Sequence, residues 1–198
     1  MVKTTYDNQQ ELLSDLMGLY KVRQFSVDPC YSVGNIWKSL PQPYIKFDIK
    51  PQHETVNEGD ARHLPLADNS QSSVFFDPPF IIDSKNKKSR CHISDRFGSF
   101  ESRTDLESMY ADSIREFSRI LVDGGVLVVK CQDTIDCHKQ ILTHVTVINE
   151  CAKNGLVCHD VFIYVNENVI HNRQARQVHA RKTHSYFMVF VKNRNRID

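Results

Sequence analysis

The sequence predicts an α/β protein built on a doubly wound, mostly parallel, seven-stranded sheet with an antiparallel strand near one edge. Three observations predict it. Short apolar runs of strand length alternate with amphipathic segments of helical period. Several of the runs end on an aspartate or a turn-forming residue, as strands feeding a crossover connection do. The last two runs follow one another with no helical segment between them, which makes the final strand an antiparallel neighbour. At 198 residues and 40% hydrophobic content the chain has the size of one domain, and residues 1–198 are read as one.

Leu12, Leu13, Leu16, Met17 and Tyr20 recur at helical spacing over residues 9–21, so residues 1–22 form a helical lead-in. Phe25-Ser26-Val27 is the first strand, stopped at Asp28, and Asn35 to Leu40 opens or lines the next helix after the turn at Gly34. Tyr44 to Asp48 and Thr55 to Glu58 are short strands, the second ending before Gly59-Asp60. Ser73 to Phe76 is a buried strand that Asp77-Pro78-Pro79 terminates, because proline cannot continue a ladder. Residues 81–103, polar and aperiodic, form a long loop. A helix runs from Thr104 to Leu121 and stops at Asp123-Gly124-Gly125. The strand Val126 to Cys131 follows, then a helix from about His138 to Lys153, a strand from Cys158 to Val165, a polar and basic segment ending at Thr183, and the terminal strand His184 to Val191.

The 25 basic and 24 acidic residues leave a net charge of +1, so total charge neither demands nor excludes a polyanionic partner. The six cysteines lack the spacing of a disulfide framework and read as reduced thiols. Three Cys-His dipeptides do not make a zinc site without a Cys-x-x-Cys, and no metal is expected. No apolar run spans a bilayer and the N-terminus lacks the apolar core of a secretory signal, so a cytoplasmic protein is expected.

In an open α/β sheet the ligand sits beyond the carboxyl ends of the strands, where strand order reverses. Asp28, Asp48, Asp60 and Asp77 all fall at such ends. Singly, each is an ordinary turn former or cap, and Asp77-Pro78-Pro79 alone could merely end a strand with Phe80 in the core. Together they make a pattern. The segments Phe25 to Gly34 and Gly59 to Leu66, Asp48, and Asp77-Pro78-Pro79-Phe80 resemble the class I S-adenosylmethionine-dependent methyltransferases. Within these, the chain is similar to the amino-group DNA (adenine-N6) methyltransferases and to predicted bacterial and phage DNA methylases with an Asp-Pro-Pro-Tyr or Asp-Pro-Pro-Phe motif, over about Phe25 to Lys192.

The resemblance implies the Rossmann-like methyltransferase fold and S-adenosylmethionine as cofactor. It implies that the turn holding Asp28, Pro29, Cys30, Tyr31 and Gly34 brings backbone amides to the methionyl part, and that Asp48 holds the ribose hydroxyls. It places Asp60 and Ala61 at the adenine ring, with Asp77 bordering the cofactor. Ser32 stands where many relatives have glycine, which bears on the loop shape because a Cβ is penalised at positive φ. Asp77, Pro78, Pro79 and Phe80 are the expected catalytic tetrapeptide. The Asp77 carboxylate and the Pro78 carbonyl would accept the two N–H bonds of an amino group and turn its lone pair to the methyl, while Phe80 stacks on the extruded base.

Two basic segments, 81–103 with Lys87 and Lys88, and 166–183 with Arg176, Arg181 and Lys182, are candidates for phosphate contact. The expected reaction is methylation of adenine N6 in DNA. The alternatives are RNA adenine-N6 or guanine-N2 methylation, or a catalytically degenerate nucleic-acid-binding subunit. The sequence carries no large target-recognition domain, so a specificity partner or a homodimer is also considered.

Overall fold

The computed structural model describes residues 1–80, 82, 100–136, 139–166 and 178–193. Its strands in chain order are β1 (Thr5–Tyr6), β2 (Val27–Asp28), β3 (Ile45–Asp48), β4 (Asn57–Glu58), β5 (Gln71–Phe76), β6 (Leu121–Cys131), β7 (Thr134–Asp136), β8 (Lys139–Ile141), β9 (Leu156–Val165) and β10 (His184–Lys192). Among the described residues the main sheet has eight strands, not seven, in the order β1-β9-β10-β6-β5-β2-β3-β4. The additional strand is β1, which pairs in parallel with β9 through Thr5 and Tyr6. Two residues carry no readable alternation, and Tyr6 belongs there because its buried ring joins the core and its hydroxyl donates to Asp15 at 2.7 Å. The predicted antiparallel strand is β10, which lies between β9 and β6 and runs against both.

Helix α1 (Gln9–Leu19) starts where Asn8 accepts hydrogen bonds from the Gln10 and Glu11 amides, and it buries Leu12, Leu13, Leu16 and Met17. Helix α2 (Arg103–Ile120) starts on a reciprocal cap, in which Ser102 Oγ accepts from the Asp105 amide and donates to the Asp105 carboxylate. The segment predicted as one helix from His138 divides. Strands β7 and β8 form an antiparallel pair, and helix α3 spans only Thr143–Lys153. Gln140 and Ile141, which the sequence places in the helix, are held instead by the β7 ladder. The expected helix after Gly34 is a single 3₁₀ turn, Asn35–Trp37.

Two apolar layers enclose the sheet. One packs α2 and α3 on Val74, Phe76, Leu127, Val129 and Met188; the other packs α1 and Trp37 on Phe75, Val128, Phe187 and Val189. Alternate residues of β5 and β6 feed opposite layers, as strand pleating requires. Among the described residues, no helix is long and apolar enough to cross a membrane.

Candidate active site

Strand β2 lies between β3 and β5, so the order reverses there and the carboxyl ends of β2, β3, β4 and β5 open on one rim. Asp28 and Asp48 close β2 and β3, Asp60 lies two residues beyond β4, and Asp77 directly follows β5. The charges of all four acids act on Cys30. Its thiol is pushed up by loss of water contact and then by the charges of Asp28, Asp48, Asp77 and Asp60.

Each aspartate is held differently. Asp28 is buried; its Oδ2 accepts from Trp37 Nε1 at 2.7 Å and its Oδ1 from the Cys30 amide at 2.9 Å. Burial pushes its carboxyl up to about 7 against those two hydrogen bonds, with Asp77 and Asp48 adding in the same direction. Its carboxyl group is therefore taken up by Trp37 and by its own loop, whose shape it helps to set. Asp48 accepts the Ser32 amide on Oδ2 and the Lys50 amide on Oδ1, both at 2.8 Å. One backbone donor on each oxygen leaves lone pairs on both for a vicinal diol. Asp60 is held below the usual carboxylate range by Arg62, whose guanidinium and amide both donate to it. Ala61, beside it, is buried.

The loop from Asp28 to Gly34 is shaped by two left-handed residues, Ser32 at φ 51 and Gly34 at φ 67. A Cβ at Gly34 would meet the outer end of the Tyr31 ring, which would have to move, and the positive φ itself favours glycine. Ser32 tolerates its positive φ because its amide is fixed on Asp48, which ties the β2 loop to the end of β3. Tyr31 reinforces the tie by donating its amide to the Phe47 carbonyl at 3.0 Å. Pro29 is buried beneath this turn.

The segment leading into β5 is pinned from below. Glu116 accepts the Leu64 amide at 2.7 Å, and Arg119 donates to the carbonyls of Leu66 and Leu64 and to Asp68. After Phe76, Asp77 stands half-buried with its Oδ2 accepting from Lys130 Nζ at 2.9 Å. Pro78 is buried, and Pro79 and Phe80 are partly exposed at the rim. Of the basic candidates, Arg181 is exposed and Lys182 partly exposed just before β10; Lys87, Lys88 and Arg176 lie outside the described residues.

Sequence reasoning gives Lys130 and Trp37 no site role. The signal for Lys130 is a lone cation inside the apolar run of β6. The sequence also gives no site role to a second polar cluster. The buried Asp133 binds His144 Nδ1 at 2.7 Å, Tyr186 packs on the His144 ring, and His184 Nε2 lies 3.0 Å from the Tyr186 hydroxyl.

Acidic side chains gathered at the strand ends, with lone pairs left on both Asp48 oxygens, suit a ligand with cationic and hydroxyl groups, and S-adenosylmethionine carries a sulfonium, an ammonium and a ribose diol. No curated protein matches the chain. A protein described as a DNA modification methylase from Thermus thermophilus matches at 19% identity over 71% of this chain, with a TM-score of 0.49, and this chain spans 54% of that protein's length. A SAM-dependent methyltransferase from Methanosarcina mazei matches over 90% of this chain and 97% of its own at 10% identity, with a TM-score of 0.53. The cytosine-N4-specific PvuII DNA methyltransferase matches over 69% of this chain and 48% of its own at 16% identity, with a TM-score of 0.52. The last two likenesses establish the methyltransferase fold. The family model described as DNA methylase, of N6 and N4 type, matches residues 72–197, more than half of the chain, and the protein belongs to that family.

Proposed function

We propose that this chain, acting as one catalytic domain, transfers the methyl group of S-adenosylmethionine to an exocyclic amino group of a DNA base, adenine N6 in particular. The observation that carries this reading is Asp77, placed at the end of β5 beside the strand-order reversal and among three other carboxylates. The cofactor supplies a methyl group on a positively charged sulfur. Asp48 holds the ribose diol, the Asp28 to Gly34 turn lies along the methionyl part, and Asp60 and Ala61 meet the adenine ring. The Asp77 carboxylate and the Pro78 carbonyl accept the amino N–H bonds, which directs the nitrogen lone pair at the methyl group. Phe80, partly exposed beside them, stacks on the base. An aspartate-led tetrapeptide favours adenine over cytosine N4.

Incubation with tritiated S-adenosylmethionine and separate DNA and RNA pools, followed by nucleoside analysis, tests the assignment. Label in N6-methyladenine from DNA is expected. Label in N4-methylcytosine would correct the base, label in RNA the substrate, and no label in either pool would overturn the function.

Asp48→Ala is expected to weaken cofactor binding about 10- to 100-fold, the equivalent of roughly 1.5 to 3 kcal/mol for hydrogen bonds to a charged acceptor. Calorimetric titration measures it. An unchanged dissociation constant would remove Asp48 from the site.

Neutralising Arg176, Arg181 and Lys182 together is expected to lower DNA affinity and flatten its dependence on salt, because each lost phosphate contact reduces counterion release. Cofactor affinity should not change. Equal salt slopes in variant and parent would make the segment an ordinary solvated surface.

A further inference from the structure

We infer that Lys130 is a positioning residue for methyl transfer, anchoring one oxygen of Asp77 so that the other is left for the target amino group. The inference rests on the reading of Asp77 as the catalytic carboxylate.

Sheet register creates the arrangement. In the parallel β5/β6 pair Phe76 lies opposite Val129, so the next residues, Asp77 and Lys130, come side by side. In the antiparallel β6/β10 pair Lys130 lies opposite Phe187. Asp77, Lys130 and Phe187 thus form one row across three strands. Lys130 Nζ is 2.9 Å from Asp77 Oδ2 and 5.6 Å from the Phe187 ring centroid, within reach of a cation–π contact. The buried Phe187 ring limits where the ammonium can go on one side, and Asp77 binds it on the other.

This is no surface ion pair. The Lys130 side chain is only 14% exposed and that of Asp77 only 23%, and the lysine sits beside the buried Val128, Val129 and Cys131. Taking a charge out of water there costs free energy that a single partner seldom returns in full, and an apolar side chain of similar length would serve the packing as well. The pair's contribution is orientation. A carboxylate on a turn can rotate about its own bonds; one oxygen held at hydrogen-bond distance by a buried cation fixes the direction of the other.

The ammonium cannot be present to stabilise the reacting charge. As the N–C bond forms, positive charge grows on the amino nitrogen, which a nearby cation opposes. Lys130 therefore acts through geometry, and its loss should appear in kcat and not in cofactor binding. A displacement of about 1 Å in a reacting group can cost on the order of 100-fold in rate.

The test uses Lys130→Met and Lys130→Gln, each alone and combined with Asp77→Asn, with single-turnover rates on DNA and calorimetric binding of S-adenosylmethionine. Each Lys130 variant is expected to lower the rate roughly 10- to 100-fold while cofactor affinity stays within about twofold. In the Asp77→Asn background the same substitutions should add less than about threefold, because residues that act as one unit are not additive. Unchanged rates in the Lys130 variants that bind cofactor, or losses that multiply fully with that of Asp77→Asn, would overturn the inference. If Asp77→Asn itself turned over like the parent, the assignment of Asp77 would fail instead, so the two failures are distinct.

Discussion

Asp77→Ala is expected to lower methyl transfer about 100- to 1000-fold, the usual loss when one preorganised electrostatic partner of a reacting centre is removed. Cofactor affinity should change little, because the ribose and adenine contacts are those proposed for Asp48, Asp60 and Ala61. Asp77→Asn should also be severely impaired. An amide keeps one acceptor oxygen but loses the charge that favours the developing cation on nitrogen, and with that oxygen taken by the Lys130 ammonium its NH₂ would be turned toward the target amino group. Phe80→Ala should act differently, weakening substrate binding by about 1 to 3 kcal/mol of lost base stacking. Single-turnover transfer of labelled methyl to DNA, with calorimetry beside it, separates these effects. Near-parental turnover by Asp77→Ala would sink the tetrapeptide as the active site.

Much of this architecture is legible in the sequence because its signals are local. Proline after Phe76, glycine at 34 and aspartates after apolar runs mark strand ends without knowledge of the fold, and parallel topology gathers such ends on one rim. The resemblance to methyltransferases rests on those same positions, and the family match over residues 72–197 agrees with it. What stays hidden depends on distant partners. Lys130 acquires meaning only when register sets it beside a residue 53 positions earlier. Asp60 is placed at a ligand only by resemblance in the sequence, whereas in the structure Arg62 already binds its carboxylate. The β7/β8 pair and the two-residue β1 escape for another reason, since segments of two or three residues are too short to show a period.

Trp37→Ala is expected to destabilise the protein by about 3 to 5 kcal/mol, the usual range for removing a large buried aromatic. The ring is fully buried, with its centroid 4.8 Å from that of Phe75 and 5.6 Å from that of Phe25, so little can relax into the space. Trp37→Phe isolates a second contribution, for it keeps an aromatic ring but removes the Nε1–H that Asp28 accepts. The size of that contribution should depend on pH. Burial raises the Asp28 carboxyl to about 7, so this group favours folding fully below the ordinary carboxylate value near 4, and its contribution is lost as pH rises through about 7. Below that range Trp37→Phe loses a hydrogen bond to a neutral acid, about 0.5 to 1.5 kcal/mol; above it the lost bond is to a buried anion, about 1.5 to 3 kcal/mol. Urea unfolding at about pH 4.5 and about pH 8, on either side of the Asp28 transition, should therefore show a larger deficit for Trp37→Phe at the higher pH. Equal deficits would mean that Asp28 does not change charge while Trp37 holds it. Because Asp28 also fixes the Cys30 amide, the Phe variant should weaken cofactor binding at the higher pH through the loop and without loss of a ligand contact.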